Sequence, residues 1–252
     1  MFLRVLTLGF CLLAAFPTQA GNITLNADDK VEYHQKEQKL VAVGNAVASK
    51  DDMSIKADKL VGYYTPKTKN KISRVEAFDN VKMHSPDADA SGNKMVYDVA
   101  ADTVVLTGAP AKIKLPDAEI TADGSITYYQ SQQKAVATKN VTATDAKGSK
   151  VYADLMTAYF TKDADGKLSL DKIDIENNVK IVNKDATVTA LKGTYFASTE
   201  KIKLFEDVVI NQNGNILRGA EAETNLNTGV SKLLSGGKKG RVSGVFKEKK
   251  KD

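Results

Sequence analysis

The chain has no tryptophan, two histidines, five prolines and a single cysteine, Cys11. Cys11 lies in an apolar stretch, Val5 to Phe16, behind Arg4 and ahead of Thr18-Gln19-Ala20. A positive start, a greasy middle and a small-residue cleavage site are the layout of a secretory signal peptide over residues 1–20. Cleavage after Ala20 leaves no cysteine, which excludes disulfides and thiolate chemistry. The bulky Phe10 before Cys11 argues against a lipoprotein signal. An exported chain without disulfides suits a bacterial periplasm, and an uncleaved N-terminal anchor is the alternative. The apolar stretch is too short to span a bilayer, and no later segment is longer. The histidines, His34 and His84, sit far apart beside turns, so they supply neither a metal site nor a base for a nucleophile. Asp163-Ala164-Asp165-Gly166 opens like a calcium loop but lacks the closing Glu, and reads as a hairpin turn. No phosphate loop, nucleophile elbow or dinucleotide fingerprint occurs. The expectation is therefore a protein that is not an enzyme and uses no metal and no cofactor.

Charge of one sign is also scarce outside one short segment. The formal net charge of +5 is concentrated in Lys238 to Asp252, with seven Lys or Arg against Glu248 and Asp252. The body is close to neutral, which excludes a nucleic-acid face. Residues 236–252 read as a basic, disordered tail. Solvation alone and contact with anionic headgroups or an acidic partner both stay open for it.

What the chain does have is a repeat. An Ala, Ser or Thr, often followed by Asp, recurs with an aromatic six residues after it: Ala27-Asp28…Tyr33, Ala57-Asp58…Tyr63, Ser91-Gly92…Tyr97, Ala122-Asp123…Tyr128 and Ala153-Asp154…Tyr159. Thr189-Ala190…Tyr195 and Ala220-Glu221…Leu226 follow in weaker form. The first six copies close on a polar-then-small step: Asn45-Ala46-Val47, Asn80-Val81, Ala109-Pro110-Ala111, Asn140-Val141, Asn178-Val179 and Asp207-Val208. A fixed period of about thirty residues means one supersecondary unit stacked on itself, with two open ends.

Each unit reads as a pair of strands. Ile55, Ala57, Val61 and Tyr63 alternate with Lys56 and Asp58, the period-two pattern of a half-buried strand. Ile120, Ala122, Ile126 and Tyr128 repeat it, as do Val151, Ala153, Leu155 and Tyr159. After the closing step, Val81-Lys82-Met83, Ala111-Lys112-Ile113 and Val179-Lys180-Ile181 alternate apolar residues with lysine. Inserts near Thr65 to Lys71 and Thr161 to Ser169 read as extended hairpin tips. Helix is expected to be minor, at most a short turn near the mature N-terminus. About seven copies give about fourteen strands, arranged as two facing sheets or one sheet folded over, each roughly 34 Å long at seven strands. The small residue at the opener fits a crowded crease, and the Tyr is expected to cap the same layer with its hydroxyl near water.

This Ala-Asp-x4-Tyr…Gly/Asp-Asn-Val pattern resembles the OstA-like family over roughly Asn22 to Leu234, most specifically at Ile55 to Tyr63, Phe78-Asp79-Asn80-Val81 and Val43-Gly44-Asn45-Ala46-Val47. The resemblance implies an all-β fold, an open and slightly twisted β-jellyroll over residues 21–235. It also implies a periplasmic protein that carries lipopolysaccharide and bridges the inner and outer membranes. Implied partners are inner-membrane-anchored and outer-membrane translocon components with the same kind of fold, and the chain itself, head to tail. Residues fitting an acyl-chain slit are Ile55, Val61, Tyr63, Val81, Met83, Met95, Tyr97, Ile113, Ile126, Tyr128, Val179 and Ile181. For each, ordinary core packing is the competing role. Lys56, Lys82, Lys112 and Lys114 would meet phosphates at the rim. The terminal strands would pair between molecules through Ile23, Leu25, Ala27 and Val31 at one end and Ile216, Arg218, Ala220 and Leu226 at the other. Alternatively, residues Val230 to Val245 or the basic tail cover the last edge. The competing function is a structural or adhesive β-solenoid without lipid cargo; a polysaccharide-acting enzyme is disfavoured because no clustered acid/base pair is visible.

Overall fold

The structure is a computed structural model, and it describes residues 23–65, 71–164, 168–225, 230–235 and 241–246. The expected signal peptide and much of the expected tail lie outside the described residues. So do the tips of both expected hairpin inserts. The first module of strands is β1 (Thr24–Asn26), β2 (Lys30–His34), β3 (Lys39–Lys50), β4 (Met53–Thr65), β5 (Lys71–Ser85), β6 (Ala88–Asp98), β7 (Thr103–Thr107) and β8 (Ala111–Lys114). There follow β9 (Ala118–Ala122), β10 (Ser125–Tyr129), β11 (Lys134–Asp145), β12 (Lys150–Lys162), β13 (Leu168–Val182), β14 (Ala186–Phe196) and β15 (Lys201–Gln212). The last are β16 (Asn215–Asn225), β17 (Ser231–Leu234) and β18 (Ser243–Val245). Every pairing is antiparallel, and no helix occurs among the described residues.

The fold is all-β and jellyroll-like: one continuous sheet folded over into two layers. Ten long strands, β3 to β6 and β11 to β16, run through both layers and bend between them. The short strands serve one layer each. β2, β7, β10 and β17 complete layer I, and β1, β8, β9 and β18 complete layer II. Each layer therefore holds fourteen strands, not seven, and is roughly 60 Å long at about 4.8 Å per strand. The expected length was half that because one long strand contributes to both layers.

The bend is written into the repeat. At five of the six closing steps two consecutive residues take positive φ: Gly44 and Asn45, Asp79 and Asn80, Lys139 and Asn140, Asn177 and Asn178, Glu206 and Asp207. Asn, Asp and Gly tolerate this left-handed region best, which is why the step is polar. The pair forms a β-bulge that kinks the strand. Opposite it stands the opener's Asp. The Asn45 amide donates to Asp28 at 2.8 Å, Asn80 to Asp58 at 2.8 Å, Asn140 to Asp123 at 2.9 Å and Asn178 to Asp154 at 2.6 Å. The two halves of the sequence motif thus clasp each other on the outside of the crease. In the third copy the step is Ala109-Pro110, a cis bond, and the strand is divided there into β7 and β8.

On the inside, the crease is a file of small residues: Ala46, Ala57, Val81, Gly92, Ala111, Ala122, Val141, Ala153, Val179, Ala190 and Val208. A Cβ on Gly92 would lie 2.5 Å from the Thr107 carbonyl oxygen, so no larger residue fits. Larger side chains fill the space away from the crease, with Met95, Leu106, Ile113 and Ile126 almost fully buried.

A second, longer period appears in space. β3, β4, β5 and β6 have 12, 13, 15 and 11 residues, and so do β11, β12, β13 and β14. Their irregularities match as well: the register shifts at Tyr63/Tyr64 in β4 and at Tyr159/Phe160 in β12. Three thirty-residue units thus make one module, and the chain holds two modules in tandem.

Candidate functional site: the interlayer space and the two open ends

Of the residues predicted to line a slit, Ile55, Val81, Met83, Met95, Ile113, Ile126, Tyr128, Val179 and Ile181 lie in the buried core between the layers, and Tyr97 packs against it. Val61, although only 5% exposed, and Tyr63 lie outside that cluster. The bulge between Lys56 and Lys59 shifts the alternation by one residue, so Leu60 joins the core while Val61 and Tyr63 face outward. Val61 stands opposite Val41 and Glu76, and Tyr63 opposite Lys39 and Arg74. Leu155 and Tyr159 turn out for the same reason, and the Lys172 ammonium lies 4.5 Å from the centre of the Tyr159 ring.

Inward at the far margin of layer I, Tyr64 and Phe160, which the motif did not single out, meet two tyrosines that it did. Tyr64 stacks on Tyr33 with ring centres 5.7 Å apart, and Phe160 meets Tyr128 edge-on at 6.4 Å. Burial pushes the Tyr64 phenol up to about 12 and raises that of Tyr195. The Tyr195 hydroxyl is buried with no hydrogen-bond partner, so it does not reach water as expected.

A continuous cluster of buried side chains runs between the layers from Ala42 to Ala222. Towards the C-terminal end the interior opens into a cavity of about 120 Å³ between the layers, lined by Ile181, Val188, Ile202, Leu204, Ile210 and Leu217, with Gln212, Thr224 and Ser231 at its polar margin. Ile202, Leu204, Ile210 and Leu217 were not singled out from the sequence, although Lys201-Ile202-Lys203-Leu204 carries the same apolar–lysine alternation as the other second strands.

The outer faces are polar. Lys56 and Lys82 face each other on the outside of layer II, and Lys112 pairs with Glu119 at 3.2 Å. These lysines therefore lie away from the cavity margin. On layer I, Arg74 bridges Glu76 at 2.7 Å and Asp98 at 2.9 Å. The Ala101 amide, with Arg74, holds the Asp98 carboxyl below its ordinary range. His34 sits between Glu32 and Glu37, and His84 contacts Asp89 at 2.7 Å. Among the described residues no three His, Cys, Asp or Glu gather as a metal site would require.

The predicted N-terminal edge residues lie on and beside β1 and β2. Ile23 and Val31 are about half exposed, while Leu25 and Ala27 pack on the core. The C-terminal edge differs. Ile216 and Arg218 on β16 already pair with Val245 and Ser243 of β18, and Ala222 pairs with Leu233 of β17. Ala220 lies in β16 between those two pairings, and Leu226 lies outside the described residues. The terminal strands are therefore β17 and β18, and Ser243–Val245, assigned to a disordered tail from composition, form a strand. Ser243 and Gly244, which have low strand propensity, are held there with Val245 by pairing with β16, which composition does not register.

A sequence profile described as LptA/(LptD N-terminal domain) LPS transport protein matches residues 24–134 and again residues 119–230. No curated protein matches the chain. Among solved structures, the crystal structure of LptH, the LptA homologous periplasmic component of the conserved lipopolysaccharide transport device from Pseudomonas aeruginosa, is similar over 90% of this chain and 96% of that one. The identity is 10% and the TM-score 0.23, too loose a superposition to carry an argument. The two profile matches overlap at the junction of the two modules and together run from β1 to the threshold of β17. The chain belongs to the LptA/(LptD N-terminal domain) LPS transport protein family.

Proposed function

We propose that this protein is a periplasmic carrier of lipopolysaccharide that spans the space between the two membranes, holding acyl chains between its two layers and joining neighbours through its terminal strands. The observation that carries this reading is the interlayer cavity at the C-terminal end, walled by Ile202, Leu204 and Leu217, in a chain of a lipopolysaccharide-transport family. Each methylene withdrawn from water there contributes about 0.8 kcal/mol. The cavity is large enough for only a few methylenes, so a whole acyl chain enters as the layers part along the packed interior. Inner-membrane-anchored and outer-membrane components with the same kind of fold are the partners this reading requires at either end. It involves no chemical step and no cofactor.

Native mass spectrometry of protein purified from its own envelope reads bound lipid directly. Wild type is expected to carry lipopolysaccharide. Leu217→Glu, at a half-exposed position in the cavity wall, is expected to lose it while keeping its melting temperature. Undiminished cargo in that variant would refute the interlayer site and favour a β-solenoid without lipid in its core.

A further inference from the structure

The two ends of the molecule and its internal junction share one construction. At the N-terminal end, β1 and β2 are a single strand divided at Ala27-Asp28-Asp29; at the junction, β9 and β10 are divided at Asp123-Gly124. In both, two successive amides reach the neighbouring long strand. Asp28 and Asp29 donate to the Gly44 and Val43 carbonyls at 2.7 and 3.1 Å, and Asp123 and Gly124 to those of Lys139 and Thr138 at 2.8 and 3.0 Å. The open side of β9/β10 is filled by β8 and β7, again a divided strand, running from layer I to layer II. β17/β18 at the C-terminus is divided and runs the same way.

Exposure points to the same surfaces. Val31 and Tyr33 are 50% and 58% exposed on β2, and Leu234, Val245 and Phe246 are 47%, 66% and 71% exposed at the other end. Edges that carry bare apolar side chains and have no partner strand among the described residues invite strand addition.

We propose that the junction of β7/β8 with β9/β10 is an intramolecular copy of the joint between molecules, and that it fixes the register in which β17/β18 of one copy adds to β1/β2 of a second. This rests on the head-to-tail reading above. In the junction the inward residues nearest the crease, Leu106 and Ile126, stand opposite each other, with Val105 opposite Thr127 and Val104 opposite Tyr128. The inward residue nearest the crease is Leu233 on β17 and Val31 on β2. The same register sets Val31 opposite Leu233, Tyr33 opposite Ser231 and, on the outer face, Glu32 opposite Lys232. Opposite charges meet there, whereas a shift by two residues would set Glu32 against Val230 or Leu234. A contact between unlike ends does not close on itself, so it propagates.

The mature chain without cysteine allows a direct test by oxidative cross-linking of the full-length processed protein. Glu32→Cys combined with Lys232→Cys is expected to give a ladder of covalent oligomers, because facing residues on paired strands lie within disulfide reach. Glu32→Cys combined with Leu234→Cys is expected to give none. In light scattering, Glu32→Lys is expected to weaken self-association about two- to fivefold, and Lys232→Glu in the same chain to restore it. A ladder from the Leu234 pair instead overturns the register while leaving head-to-tail joining intact. A wild type that stays monomeric at every concentration, with neither pair cross-linking, overturns both. A heterologous ladder only with another protein of this fold overturns the second copy as the occupant.

Discussion

Removing the Asn80 side chain isolates what the repeating motif does. Asn80 has φ of 50° and follows Asp79 at 62°, so the chain bends here through two left-handed residues. Its amide donates to the Asp58 carboxylate at 2.8 Å, tying one strand's closing step to the preceding strand's opener. Asn80→Ala loses both contributions. An alanine in the left-handed region costs about 1–2 kcal/mol. The lost hydrogen bond costs about 0.5–1.5 kcal/mol, at the low end because the pair is exposed. Together they amount to about 1.5–2.5 kcal/mol, or a fall in Tm of about 3–10 °C for a protein of this size. Asn80→Gly keeps the backbone geometry at no steric cost and loses only the bond, so it is expected to cost about 0.5 kcal/mol. Thermal and urea unfolding of the two variants, with Asp58→Ala to close a double-mutant cycle, give the measurement. The reasoning fails if Ala and Gly at this position are equally well tolerated, or if the cycle shows no coupling between Asp58 and Asn80.

Other expectations follow from the packing and the charges. Gly92→Ala should destabilise the protein measurably in urea unfolding, since the new methyl would press on the Thr107 carbonyl at 2.5 Å, a backbone atom that cannot swing away. Ile126→Ala, at 1% exposure, should cost about 2–5 kcal/mol by the same assay, and Val81→Asp should prevent folding instead of merely releasing lipid. Asp98→Asn should destabilise at neutral pH, where the carboxylate is held ionised by the Ala101 amide and Arg74. A depressed native pKa gives stability that is present above the ordinary carboxylate range and lost below it. The gap between variant and wild type should therefore close as a pH titration of unfolding enters the acid range, and a gap that widens there would contradict the assignment.

The repeat was legible in the sequence because its small residues and its polar step answer to two backbone demands, a crowded crease and a left-handed bend. Ala57, Ala122 and Ala153 sit where the opener's size suggested. The facing of the aromatics was not legible. Tyr33, Tyr63, Tyr128 and Tyr159 all stand six residues after an Ala, yet Tyr33 and Tyr128 face inward and Tyr63 and Tyr159 outward. The difference is the crossing. Where the strand passes the crease through a bulge, Ala57 to Leu60 are successive core positions three residues apart. Where the strand is divided, Ala122 to Ile126 are four apart, and the alternation is preserved. Alternation alone cannot tell a bulged strand from a divided one.

The Asn–Asp clasp was half visible. Both partners recur in the sequence, but the pairing is between neighbouring strands, at separations of 17 to 24 residues that no local turn rule addresses. The C-terminal closure by β17 and β18 was legible only as the alternative in which Val230 to Val245 cover the last edge, because basic composition masks a strand that exists only through its neighbour. The tandem of two modules was hidden behind the shorter period, three units of which make one module.

The most direct test of the interlayer site is photo-cross-linking in living cells, with a photoreactive residue placed at Leu217 in the cavity wall or at Lys82 on the outer face of layer II. Irradiation is expected to join lipopolysaccharide to the first position and not to the second. Lipid captured at Lys82 with none at Leu217 would mean that the cargo travels on the outside of the sheet and that the space between the layers is only a core.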